Sequence, residues 1–348
     1  MKSIFKLAAY SAVLVSIFAC NKISETQMNE ESASLPPITK AIGDKSPVMA
    51  VYVETNDVNP LNALDYHFSG DTERFIDILE LFAANIHKET VNGQVRPTLY
   101  LNDKLTNVLE NGGVGTYVNP LQDWGISVLL TILGDHQGIG LANMTDTQAD
   151  QFATILVAVV KHYGLDGLGF DDEYADYPWV GNGVNNTSYS RILTKVHELY
   201  AQYNIPNKLI TVFDWGFTNT ISATAASYID YAYHGYFNNY RTDSNITGMN
   251  KPRWSPVSFN LGGEISTSTA QNYASRAKNE GYGAMMGFNL RTRNDKDALP
   301  VFQAFSNGAY GGRTVACVEN GGNRSRDAVI VPTGFTITYD TALTWLAE

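Results

Sequence analysis

The chain has 348 residues, 44% of them hydrophobic and 11% aromatic. That supports one large core of a size that α/β barrels reach as a single domain. A formal net charge of −11 and a pI near 5.0 exclude nucleic acid as a partner, because a nucleic-acid binder needs a basic face.

In chain order, the first element is an export signal. Lys2 and Lys6 precede the apolar run "LAAYSAVLVSIFA", which ends at Cys20. "IFAC" resembles a bacterial lipoprotein box, in which the cysteine is acylated and becomes residue one. Residues 1–19 are therefore expected to be a lipoprotein signal peptide, with Cys20 the lipidated residue. Acylation of Cys20 leaves Cys317 without an intrachain partner, so no disulfide framework is expected. Residues 20–46 are rich in Ser, Glu, Asn, Thr and Pro and lack apolar periodicity, which predicts a tether. The expected location is the cell envelope of a Gram-negative bacterium, on either face of the outer membrane. A lipid anchor would be the chain's only membrane element, and the protein is expected to be a monomer.

After the tether, eight short apolar runs alternate with amphipathic stretches. They are "VMAVYVET" (48–55), "ILELFAANI" (78–86), "ISVLLTILG" (126–134), "LDGLGFDDE" (165–173), "LITVFD" (209–214), "YIDYAYHGY" (228–236), "WSPVSFNLG" (254–262) and "GAMMGFNL" (283–290). Helices are predicted over 146–164, 188–203 and 268–281. In the first of these, Phe152, Ile155, Leu156 and Val159 recur at helical spacing, Asp146 is placed to cap, and Gly164 ends the helix. The segment 56–77 is expected to mix loop and helix. Eight strands alternating with helices predict a (β/α)8 barrel over 47–312. The rival doubly wound sheet lacks a Gly-rich dinucleotide fingerprint after its first strand. The extension 313–348 falls outside the repeat, and "DAVIVPTGFTITYD" within it reads as two short strands about a Pro-Thr-Gly turn.

"GLDGLGFDDEYADY" (164–177) sets four acids within eight positions where the chain enters a buried strand. Strand alternation puts Gly167, Gly169, Asp171 and Glu173 on one face and Leu168 and Phe170 on the other. In a barrel the apolar pair meets the helices, so Asp171 and Glu173 look inward at the C-terminal end, where barrel enzymes carry their chemistry. Their Cβ atoms are expected roughly 6–7 Å apart. Mutual repulsion then raises one pKa, giving a protonated and an ionised partner.

This run resembles the acidic motif of family 18 glycoside hydrolases, D-G-x-D-x-D-x-E, and more narrowly the Endo H branch of bacterial endo-β-N-acetylglucosaminidases. "VYVETND", "FAANI", "LLTILGDHQGIGLANM", "YGLDGLGFDDEYADY", "DYAYHGY" and "EGYGAMMGFNL" resemble segments of that branch in the same order, across about residues 48–310. The resemblance implies a retaining hydrolase acting on the GlcNAc-β1,4-GlcNAc core of N-linked glycans. It implies that Glu173 is the general acid, that Asp171 orients and charges the substrate's acetamido group, and that Tyr236 hydrogen-bonds the acetamido carbonyl. The sequence departs from the pattern twice. Gly169 stands where the inner D-x-D-x-E series has its first Asp, a carboxylate that would share a proton with the middle Asp. His234 stands where relatives carry an amide side chain, which adds a titrating group.

Other residues suit sugar contacts: His136 and Gln137 after the third strand, Asn85 at the end of the second and Asn289 at the end of the eighth. Trp215 and Trp179 are candidate stacking platforms, and Tyr174 and Tyr177 candidate mouth residues. Asp172 points away from Asp171 and is read as a brace. The remaining histidines show no metal spacing, so neither a metal nor a cofactor is expected. The alternatives are a chitinase-like hydrolase sharing the same residues, and a catalytically silent glycan-binding lipoprotein.

Overall fold

A computed structural model describes residues 45–348 apart from 71–72, 178–182, 264, 294 and 319–332. The signal, Cys20, most of the tether, Trp179 and the first strand expected in the extension lie outside the described residues.

The strands are β1 (Val48–Glu54), β2 (Tyr66–Phe68), β3 (Ile78–Val91), β4 (Gln94–Leu101), β5 (Ser127–Gly134), β6 (Gly167–Asp171), β7 (Leu209–Asp214), β8 (Tyr231–His234), β9 (Trp254–Ser255), β10 (Ser258–Asn260), β11 (Ala284–Phe288), β12 (Val315–Cys317) and β13 (Phe335–Ile337). A parallel ring runs β10-β11-β1-β3-β5-β6-β7-β8-β9. β9 and β10 are two pieces of the single strand expected over 254–262. The break falls at Pro256, which has no N–H to give to a ladder, and Ser255 Oγ donates to the Val257 carbonyl at 2.8 Å across it. Counted together they complete the eight positions of the expected (β/α)8 barrel.

Side-chain alternation sorts the ring into two cores. Ala50, Tyr52, Ile78, Leu129, Phe213, Tyr233 and Met286 fill the inside. Val51, Leu168 and Phe170 face outward, where the larger cluster packs against helices. The helices are α1 (Asp103–Leu109), α2 (Asn119–Asp123), α3 (Asp146–Tyr163), α4 (Ser188–Gln202), α5 (Ala223–Ala226), α6 (Thr267–Glu280), α7 (Leu299–Ala309) and α8 (Tyr339–Ala347). α3, α4 and α6 fall where periodicity predicts them. The cap of α3 is Thr145 and not Asp146. Thr145 Oγ1 accepts from Gln148 N at 3.3 Å while Gln148 Oε1 accepts from Thr145 N at 2.9 Å, a reciprocal box that leaves Asp146 in the first turn.

Segment 56–77 holds a 3₁₀ helix, Pro60–Asp65, and the short β2. β3 runs past its expected end to Val91 and folds back into antiparallel β4 at Asn92-Gly93, with φ of 50° and 77°. Asn-Gly supplies the positive φ pair that a two-residue hairpin turn requires. The extension is built onto this framework. β12 pairs with β2 and β13 with β4, both antiparallel, and Trp345 of α8 stacks on His162 of α3 at 3.9 Å. β13 is the second of the two strands expected there.

Candidate active site

A cleft of about 580 Å³ opens at the C-terminal ends of the barrel strands. Asp171, Glu173, Asn85, Trp215, Tyr174 and Tyr236 are among its lining residues. Asp171 is the last residue of β6 and is 3% exposed. Burial pushes its carboxyl well above the usual carboxylate range, and the nearby Glu173, Asp172 and Glu80 push the same way. Its Oδ1 has no hydrogen-bond partner among the described residues. Glu173, half-buried, stands one step further out. Burial, then the charge of Asp172, raises its pKa.

Backbone contacts hold Glu173 in place. Gly134 N at the end of β5 donates to the Glu173 carbonyl at 3.1 Å, and His136 N donates to the Tyr174 carbonyl at 2.6 Å. A Cβ on Gly134 would collide with the Glu173 carbonyl and Ala175, so only glycine lets the two loops approach this closely. Asp172 fixes the other side. It accepts from Phe217 N at 2.9 Å and from the Tyr177 hydroxyl, and Tyr177 in turn accepts from Ala142 N at 2.9 Å. Asp172 is therefore a brace, and Tyr177 braces with it instead of lining the mouth. Burial raises the Asp172 pKa against the pull of both bonds.

Trp215 follows β7 and meets Tyr236 edge to face at 4.9 Å. Tyr236, 55% exposed, stands at the rim after β8. Asn85 lies on β3 just after a register irregularity at Phe82–Ala83, where two residues oppose one on β5. Its Nδ2 donates to the Gly134 carbonyl at 3.3 Å.

Four expected sugar contacts do not line the cleft. His234 is 2% exposed and lies against the rings of Trp254 and Tyr236. Even positions of β8 face outward while Tyr231 and Tyr233 face in. Burial, then Arg241, lowers its pKa to about 4, against the opposing pull of Asp214, so it adds no titration near neutrality. His136 turns away at φ 54° and its Nδ1 pairs with Asp176 at 2.9 Å in solvent. Gln137 sits beside it, its carbonyl taken by Lys88. Asn289 is buried and serves Glu54: its Oδ1 accepts from Glu54 N at 3.1 Å and its Nδ2 donates to Glu54 Oε2 at 2.8 Å. Glu54 does line the cleft. It was not among the expected site residues, although it ends β1 as Asp171 ends β6.

No family model matches the chain. Over 270 residues it is 36% identical to an endo-β-N-acetylglucosaminidase of Flavobacterium sp. (strain SK1022), covering 76% of this chain and 81% of that one. Over 278 residues it is 32% identical to endo-β-N-acetylglucosaminidase F1 of Elizabethkingia meningoseptica, covering 76% and 78%. Among solved structures it is similar to EndoBT-3987 of Bacteroides thetaiotamicron. With Man5GlcNAc product the identity is 29% and the TM-score 0.65, covering 80% of this chain and 64% of that one. With Man9GlcNAc2Asn substrate the values are 28%, 0.63, 80% and 68%. The chain thus spans about two thirds of the EndoBT-3987 chain. With this barrel, this acidic cleft and relatives matched over three quarters of its length, the chain belongs to the endo-β-N-acetylglucosaminidases, a family of glycoside hydrolases.

Proposed function

We propose that this protein hydrolyses the GlcNAc-β1,4-GlcNAc core of N-linked glycans by a retaining, substrate-assisted mechanism. The observation that carries it is the pair on the cleft wall: a buried Asp171 with an unbonded oxygen beside a half-exposed Glu173, both with raised pKa. Glu173, its carboxyl pKa raised by burial, gives its proton to the glycosidic oxygen. The acetamido oxygen of the sugar on the non-reducing side attacks its own anomeric carbon as that bond breaks. Asp171 accepts the acetamido N–H and balances the positive charge forming there. Tyr236, at the rim, holds the acetamido carbonyl. Glu173, now ionised, takes a proton from water, which opens the oxazolinium ring with net retention. The complex of EndoBT-3987 with Man9GlcNAc2Asn supports an N-glycan as the substrate class.

The test is the electrophoretic shift of a high-mannose glycoprotein on incubation with the enzyme, with chitin oligomers in parallel. Glu173→Gln keeps the shape of the side chain but has no proton to give. Turnover is expected to fall by about 10²–10⁴ while glycan binding persists. Near-normal turnover in this variant would sink the assignment, and a wild type that retains glycan but releases none would make the protein a binding lipoprotein. The "IFAC" segment supports attachment through an acylated Cys20 to the outer membrane of a Gram-negative cell, with the barrel acting as a monomer.

A further inference from the structure

The barrel interior holds a carboxyl that the reaction above does not use. Glu80 of β3 is wholly buried inside the ring. Thr131 Oγ1 of β5 donates to its Oε2 at 3.0 Å, and Thr211 Oγ1 of β7 donates to its Oε1 at 2.5 Å. The phenols of Tyr52 on β1 and Tyr233 on β8 feel its charge, as does Asp171 on β6. No cation is among the groups that act on it.

Between Thr131 and Thr211 in the ring lies Gly169, paired with Thr131 on one side and Thr211 on the other. A Cβ built on Gly169 would press into Glu80 Oε2, far inside van der Waals contact, and stand 3.1 Å from Thr211 Oγ1. Glu80 thus fills the volume that a side chain at position 169 would need, and position 169 is the gap in the acidic series.

We infer that Glu80 supplies from β3 the carboxyl that position 169 lacks, as the positioning residue that sets the charge on Asp171. This rests on Asp171 being the group that charges the acetamido nitrogen. Gly169 and Asp171 share one face at about 6–7 Å. No cation is among the described groups that act on either carboxyl, so Glu80 and Asp171 do not both ionise near neutrality. The pair holds one proton. Positive charge forming on the acetamido nitrogen favours an ionised Asp171, and the proton then rests on Glu80. Burial pushes both carboxyls up, Glu80 to about 7 against the two threonine hydrogen bonds, and an ionised Glu80 adds to the groups that hold Asp171 protonated until that charge forms.

The experiment compares wild type, Glu80→Gln, Gly169→Asp and the double variant Glu80→Ala/Gly169→Asp. Each is read as kcat and KM against pH on a Man9GlcNAc2Asn glycopeptide, with a melting curve. In Glu80→Gln a like charge is gone, so Asp171 ionises more easily and the acid limb of kcat moves down by about one pH unit. KM stays within about twofold, because Glu80 does not line the cleft. Gly169→Asp alone forces two carboxyls into one volume and melts lower. The double variant returns the acid limb to its wild-type position and exceeds Gly169→Asp in activity and melting temperature. An unmoved acid limb in Glu80→Gln, or a double variant no better than Gly169→Asp, overturns the inference. Should Glu80→Gln fail to fold, Thr211→Val removes one donor to Glu80, keeps that carboxyl neutral to higher pH and moves the same limb down. An unmoved limb there overturns it equally. A wild type that cleaves nothing instead overturns the proposed activity itself, and this inference with it.

Discussion

Three carboxyls of this barrel differ in burial: Glu80 and Asp171 are closed off from solvent, and Glu173 is half-exposed. Asp171 and Glu173 were legible because two-residue spacing and a glycine-rich face mark an inward strand end. Glu80 carried an equally physical signal: one acid in "ILELFAANI", in step with the inward Ile78 and Phe82. A single charge among apolar residues has no partner in sequence, and its neighbours Thr131 and Thr211 arrive from other strands. His136 and Gln137 were misplaced because alternation stops where a strand stops, and a loop residue's direction depends on φ. Glu80 also predicts a pH dependence. Unfolded, it loses its proton near its ordinary value of 4.5; folded, it keeps it to about 7. Over that window the folded state binds more protons, so the stability owed to this group is full below 4.5 and falls as pH rises through 7. Relative to wild type, Glu80→Gln should therefore gain melting temperature progressively from pH 4.5 to 7.5. Parallel melting curves across that range would contradict the assignment.

At the scale of elements, every barrel strand fell on an apolar run, because parallel strands covered on both faces read as continuous hydrophobic stretches. The boundaries that moved have local causes: Pro256 splits one strand, and Asn92-Gly93 turns another into a hairpin. The extension was not placeable from its own residues, since its fold depends on an edge, β4, supplied by a hairpin more than two hundred residues upstream. Ile337 of β13 is wholly buried in the main core. Ile337→Ala should then cost about 2–5 kcal/mol of barrel stability, measured as a lower midpoint in denaturant with a single transition. An unchanged midpoint would mean that the extension is an appendage and not part of the barrel.

For the molecule as a whole, composition and strand count gave the class of fold, while the cleft combines strand ends with loop residues such as Tyr174, Trp215 and Tyr236 whose directions periodicity does not describe. The amino-terminal region makes its own prediction at this scale. On the proposed acylation of Cys20, Cys20→Ser should move the protein from the membrane fraction to the soluble one. Unchanged fractionation, with no acyl group on the wild-type Cys20 peptide, would contradict it.

The way the ring closes has a consequence for synthesis. β1 is sealed by β11, and β4 by β13. A chain made from its amino end therefore carries two open strand edges until most of its length exists. Such edges pair with whatever reaches them first, and closure between distant strands is slow. Commitment comes late, because the barrel cannot close before β11 and β13 have been made.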